Sequence, residues 1–128
     1  MSKAAAPDPR LLRPAVQRLR SLALTFPETS ETNSWGHPNF RAGKRTFAAF
    51  EIWKGRPSIA FRVEKEAADV LLKKKNFFAT PYGQGRWVSV WIDGRVDWRL
   101  VAKVLDRSYR TVSARPRGRA RPASAGRP

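Results

Sequence analysis

The chain contains no cysteine. That excludes disulfides, thiolate nucleophiles, zinc fingers and thiolate-held iron–sulfur clusters. Histidine occurs once, as His37, so a Ser-His-Asp arrangement would have to use that residue. No Ser sits in a nucleophile-elbow motif, and the Walker and Rossmann phosphate-binding patterns are missing. No apolar run is long enough for a membrane span or the core of a signal peptide. The expectation is a soluble cytoplasmic protein that is no enzyme and carries no cofactor. Acids are the other shortage. Ten Asp and Glu face 26 Lys and Arg, a formal charge of +16.

Such an excess repels itself in a small domain and is best tolerated beside a polyanion. The expected partner is nucleic acid rather than a membrane. Arg outnumbers Lys, which an Arg-rich genome would also produce. With 128 residues, 41% of them hydrophobic, and with five Trp and seven Phe, the chain can bury one modest core. Residues 1–9, Ala- and Pro-rich, read as a disordered arm. Residues 114–128, with Arg, Pro, Ala and Gly but no apolar period, read as a disordered basic tail. The tail holds five Arg and no acid, so the rest of the chain still carries +11.

Between them, residues 10–113 alternate helical and strand patterns. "PAVQRLRSLALTFPE" places Val16, Leu19, Ala23 and Phe26 on one helical face. Pro14 suits its first turn and Pro27 its end. "ETSETNS" (28–34) is polar and reads as a loop. A short strand around His37–Arg41, a turn at "AGK" (42–44), and the strands "TFAAFEIW" (46–53) and "PSIAFRV" (57–63) form a meander. Its second turn, "KGR", carries Gly55. "EKEAADVLLKKK" (64–75) reads as a helix with Ala68, Leu71 and Leu72 inward and charges ordered along the dipole. "NFFATPYGQGR" (76–86) is a loop with room for a short strand at its start. In "RWVSVWID" (86–93), Val88, Val90 and Ile92 point one way and Trp87, Ser89 and Trp91 the other. The last helix starts at an Asp97 cap, with Trp98, Val101, Leu105 and Val112 on one face. The pattern α-β-β-β-α-β(β)-α predicts an α+β domain of two layers, helices on an antiparallel sheet.

"GHPNFRAGKRTFA", "PSIAFRV", "ATPYGQGRWVSVWID" and "VDWRLVAKVLDRSYRTV", in that order and spacing, resemble the MmcQ/YjbR family over about residues 12–114. The resemblance implies an α+β fold similar to that of the frataxin/CyaY group. It also implies the family's usual label, DNA-binding protein, which favours DNA over RNA. Frataxins bind iron through an acidic ridge on their first helix. Here that helix carries Arg13, Arg18 and Arg20 and no acid before Glu28, so an iron role is not expected.

Two constellations could meet a polyanion. The first is a basic rim on the meander: Arg41, Lys44 and Arg45, with His37 and Asn39 as hydrogen-bonding neighbours, joined by Lys54 and Arg56 at the next turn. Arg and Lys grip phosphates, while Arg and Asn can also read base edges. His37 can equally be structural, its ring against Pro38 or a strand end. The second is aromatic and basic: Trp53, Arg62, Arg86, Trp87 and Trp91. On an uncovered sheet face it would stack exposed bases; covered by a loop or a partner subunit, it would be core. Glu51 is expected to pair with Arg62 across the hairpin. "PYGQGRW" reads as a plain turn before a strand. Two functions remain open. One is a nucleic-acid binder, held by the basic turns and the tail. The other is a protein- or small-ligand-binding module using the Trp face. A monomer is expected, with a dimer through that face as the alternative.

Overall fold

The computed structural model describes residues 9–34, 37–82 and 84–113. Residues 1–8 of the expected arm (1–9) and the tail over 114–128 lie outside the described residues, and Pro9 of the arm instead opens the first helix. Three helices lie on one face of a six-stranded antiparallel sheet. The elements are α1 (Pro9–Ala23), β1 (Thr29–Ser34), β2 (His37–Ala42), β3 (Arg45–Trp53), β4 (Arg56–Arg62), α2 (Lys65–Leu71), β5 (Phe77–Ala79), β6 (Trp87–Trp91) and α3 (Trp98–Ser113). The sheet order is β1-β2-β3-β4-β6-β5. This is the expected α+β fold with one strand more than expected.

The extra strand is β1. Its residues, TSETNS, lack the apolar alternation that marks a half-buried strand, which is why they read as a loop. The alternation exists but is written in polar side chains. Thr29 and Glu31 pair with Ala42 and Phe40 of β2. Glu31 meets Arg20 of α1, and the Thr29 hydroxyl donates to the Phe26 carbonyl. As the sheet's outer strand, β1 needs no continuous apolar row, and an inward-pointing charge protects such an edge from stray pairing.

The helices differ from expectation at their ends. α1 stops at Ala23, before Pro27; the Thr25 hydroxyl and amide both turn back to the Leu22 carbonyl. Pro14 lies inside the helix rather than in its first turn. α2 ends at Leu71, with Leu72 as C-cap, well short of Lys75. Three consecutive Lys follow, and Asn76 at φ 71° is a left-handed stop. Leu72 is accordingly exposed, and Ala67 takes its expected place in the core.

The core fills the space between the helices and the inner sheet face. Leu19 and Ala23 of α1, Phe61 and Ile59 of β4, Val88 and Val90 of β6, and Val101, Leu105 and Val112 of α3 are all buried. β3 contributes two consecutive buried residues, Phe47 and Ala48. A register shift explains this: Arg41 pairs with Thr46 but Phe40 with Ala48, so Phe47 is an unpaired bulge residue turned inward. The β3–β4 turn has Lys54 and Gly55 both at positive φ, the geometry of a two-residue hairpin.

Candidate nucleic-acid interface

No helix among the described residues covers the outer sheet face. The pairing register fixes its rows. Asn39, Ala49, Ala60, Ser89 and Phe78 lie side by side across the sheet, and Glu51, Ser58 and Trp91 make the next row. Toward the β2–β3 turn the bulge breaks the rows: Arg41 pairs with Thr46 on one side of it, and Arg62 pairs with Trp87 on the other.

This register splits the candidate residues into two groups. Arg41, Lys44, Arg45, Arg62, Arg86 and Trp87 gather at the end of the sheet that holds the β2–β3 turn. His37, Lys54, Arg56 and Trp91 gather at the opposite end, the length of β3 away, about 30 Å for nine residues. The segment 36–47 is therefore one strand and one turn, not a single rim. His37 stands at its far end with its ring edge-on to Phe50, centroids 6.2 Å apart. The Asn39 side-chain amide donates to the His37 carbonyl at 3.1 Å. The Asn39 amide thus bonds within β2, while the His37 ring reaches across to β3.

At the His37 end Arg56 is paired. Arg56 donates from Nε to Asp93 Oδ2 at 2.6 Å and from Nη2 to Oδ1 at 3.2 Å. The bond raises the pKa of Arg56 and holds the Asp93 carboxyl below its ordinary value. The guanidinium also lies 4.0 Å from the Trp91 ring centroid. On its other side Trp91 stacks on Phe78, centroids 4.1 Å apart and planes 20° from parallel. Trp91 is thus packed on both flanks rather than free to stack a base. Lys54 is exposed at its turn.

Glu51 does not pair with Arg62. It sits opposite Ser58, four residues along β4 from Arg62, roughly 13 Å at strand rise. Its carboxylate accepts from Trp53 Nε1 at 3.1 Å and from the Tyr82 hydroxyl. Burial, then this hydrogen bond, pushes the Tyr82 phenol well above its usual range. Tyr82 belongs to the connection between β5 and β6, read from sequence as a plain turn. It arches back over the outer face, 6.0 Å from the Trp53 ring and 6.3 Å from Trp87. Beneath these side chains lie Ala49, Ser58, Ala60 and Ser89, all buried although they face away from the helices. Small residues there let the aromatic side chains pack down onto the sheet and cover it. Tyr82 and Phe78 were missed; the only trace in the sequence was a Tyr isolated among Gly and Pro.

The opposite end is cationic and unspent. Among the described residues, ion pairs join Arg20 to Glu31, Arg56 to Asp93, Lys65 to Asp69, Arg107 to Glu64 and Arg110 to Asp106. Arg41, Lys44, Arg45, Arg62 and Arg86 take no part in them. Arg41 Nη2 donates to the Lys44 carbonyl, which ties the turn to the strand. The Nε atoms of Arg41 and Arg62 are buried without an acceptor. Lys44 and Arg45 are exposed and border a concavity of about 440 Å³ shared with Glu28, Tyr109 and Ser113. No group of three or more His, Asp or Glu side chains among the described residues could hold a metal ion. No helix among them is long and apolar enough to cross a membrane.

Fold and site together describe a small two-layer α+β domain with an aromatic cluster on the outer sheet face and a basic end. The sequence model of the YjbR family matches residues 24–111, and the chain belongs to that family. Three solved structures share the fold. A Deinococcus radiodurans protein of the DUF419 family has a TM-score of 0.69 and 23% identity, covering 83% of this chain and 82% of that one. A Pseudomonas syringae protein has 0.64 and 17%, covering 74% and 96%. A Bacillus subtilis protein of the DUF1801 family has 0.58 and 17%, covering 86% and 85%. No curated protein matches the sequence.

Proposed function

We propose that this protein is a non-catalytic, cytoplasmic nucleic-acid-binding protein that takes DNA ahead of RNA and holds it mainly by charge. One observation carries the reading: Arg41, Lys44, Arg45, Arg62 and Arg86 gather at one end of the sheet and take no part in the ion pairs among the described residues. Uncompensated cations suit phosphates, and two of these, Lys44 and Arg45, border a concavity. Ser113 borders the same concavity, so the Arg-rich residues 114–128 are attached beside the rim. Their five Arg add sequence-independent affinity.

The test is fluorescence anisotropy with labelled DNA across a salt series. The full chain is compared with one in which Arg115, Arg117, Arg119, Arg121 and Arg127 are changed to Ser. Binding that survives this change, weakens with salt, and falls again in Lys44→Ala/Arg45→Ala supports the reading. Binding that disappears with the tail arginines assigns it to the tail alone. In that case the second reading, a small-ligand-binding module, gains. Trp91, Phe77, Val96 and Leu100 border a cavity of about 340 Å³ that such a ligand could use.

A further inference from the structure

Resting on that reading, we propose that the outer sheet face binds a single nucleic-acid strand rather than a duplex. The strand crosses the β-strands at the basic end of the sheet, past Arg41, Arg62 and Trp87. Arg41 lies on β2, Arg62 on β4, and Trp87 on β6, paired with Arg62. Three strand spacings separate β2 from β6, about 14 Å, a length that a few nucleotides cover. That end therefore presents two cations and an aromatic ring on successive parts of the sheet.

Arg41 and Arg62 are both half-buried, and neither takes part in an ion pair among the described residues. Their Nε atoms are buried, so a phosphate would meet the outer Nη ends of the guanidinium groups. Arg41 is braced by its bond to the Lys44 carbonyl.

The aromatic end decides the strandedness. Tyr82 is 49% exposed, and Trp87 stands beside it at a centroid distance of 6.3 Å. The Tyr82 ring is held by its hydroxyl on Glu51, which leaves ring surface to stack on. A duplex keeps its base faces stacked inside and offers nothing to such rings. A single strand offers both phosphates and base faces. Polarity sets the direction. Glu51 and the Arg56–Asp93 pair lie toward the opposite end, so a polyanion is favoured across the strands and disfavoured along them.

The experiment uses the full chain carrying the five tail Arg→Ser changes, with fluorescein-labelled oligo-dT of six nucleotides and a hairpin duplex of six base pairs. The expected result is single-strand binding at least tenfold tighter than duplex. Arg62→Gln should lower single-strand affinity about tenfold and flatten its salt slope by about 0.7. Tyr82→Ala should lower it about five- to tenfold with an unchanged slope, because stacking releases no counterions. Arg41→Gln gives a second charge variant, and thermal melts confirm that each variant folds. Equal affinity for duplex and single strand, or no effect of Arg62→Gln and Arg41→Gln in folded protein, overturns this inference while nucleic-acid binding stands. Loss of all binding in the tail-neutral chain overturns this inference and assigns binding to the tail; absence of binding by the unchanged chain overturns both.

Discussion

Arg20 of α1 grips Glu31 of β1 at two points, Nε to Oε1 at 2.6 Å and Nη2 to Oε2 at 2.9 Å. The contact fastens the polar edge strand to the first helix. The hydrogen bond raises the pKa of Arg20 and holds the Glu31 carboxyl below its ordinary value.

A depressed carboxyl pKa fixes the sign of a pH effect. The folded chain binds the Glu31 proton more weakly than the unfolded chain. The pair's stabilisation is therefore complete above the ordinary glutamate range and is lost as pH falls below about 4.5 toward the folded value. Glu31→Gln should lower stability by about 1 kcal/mol at neutral pH, since the pair is only part-buried. It should also remove part of the acid-side loss. Chemical denaturation at pH 7 and pH 4 reads both effects.

Tyr82 supplies the opposite sign. Burial and the Glu51 carboxylate favour its neutral phenol in the folded chain. The folded protein holds that proton longer than the unfolded one, so the contribution is present below pH 10 and fades as pH rises beyond it. Ultraviolet titration of the two tyrosines should show one ionising late. Tyr82→Phe should abolish the late component, and loss of its hydrogen bond should cost about 1 kcal/mol. A late component that persists in the variant would show that Tyr82 is not its source.

Much of this was legible in the residues, for identifiable reasons. The core helices and strands carry strong periods, so Leu19, Val88, Val101 and Leu105 were placed correctly inside. What escaped was structure specified by contact rather than by period. β1 pairs through polar residues, and its inward position shows only once Arg20 is seen opposite Glu31. The Phe47 bulge depends on a one-residue register shift that no local pattern announces. Strand register also decided the site. The sequence placed Glu51 near Arg62 and treated His37 and Lys44 as neighbours. Alternation put Trp87 and Trp91 on one face together, but no local pattern said at which end of the sheet the other residues would lie. Tyr82 reached the face through a loop conformation with Gln84 and Gly85 at positive φ.

The two tryptophans of β6 should now separate experimentally. Trp91 is covered by Phe78 and Arg56, whereas Trp87 borders exposed Tyr82. Trp91→Ala should cost about 3 kcal/mol of stability, as for a large aromatic truncated at a packed site. Its effect on oligonucleotide affinity should stay within about twofold, because a flanked ring contributes no free stacking surface. Trp87→Phe keeps a ring and should retain most binding. Anisotropy and thermal melts on both variants check the contrast, and a large affinity loss in folded Trp91→Ala contradicts it.

Phe47 links the basic turn to the core. Its ring meets Phe26 and Tyr109 edge-on, with centroids 6.1 and 5.7 Å away, and Phe26 stacks on Tyr109 at 4.6 Å. The Tyr109 hydroxyl donates to the Pro27 carbonyl at 2.9 Å, joining α3 to the approach to β1. The cluster therefore anchors the β2–β3 turn, three to four residues upstream of Phe47, against α3. Phe47→Ala should cost about 3–5 kcal/mol, a large share of a small domain's stability. Phe47→Leu keeps most of the buried volume and should cost less than about 1.5 kcal/mol. If the anchoring positions Lys44 and Arg45, folded Phe47→Leu should still bind DNA more weakly, with faster hydrogen exchange confined to residues 42–46. Exchange unchanged in that turn would detach the cluster from the rim and leave Phe47 a purely structural residue.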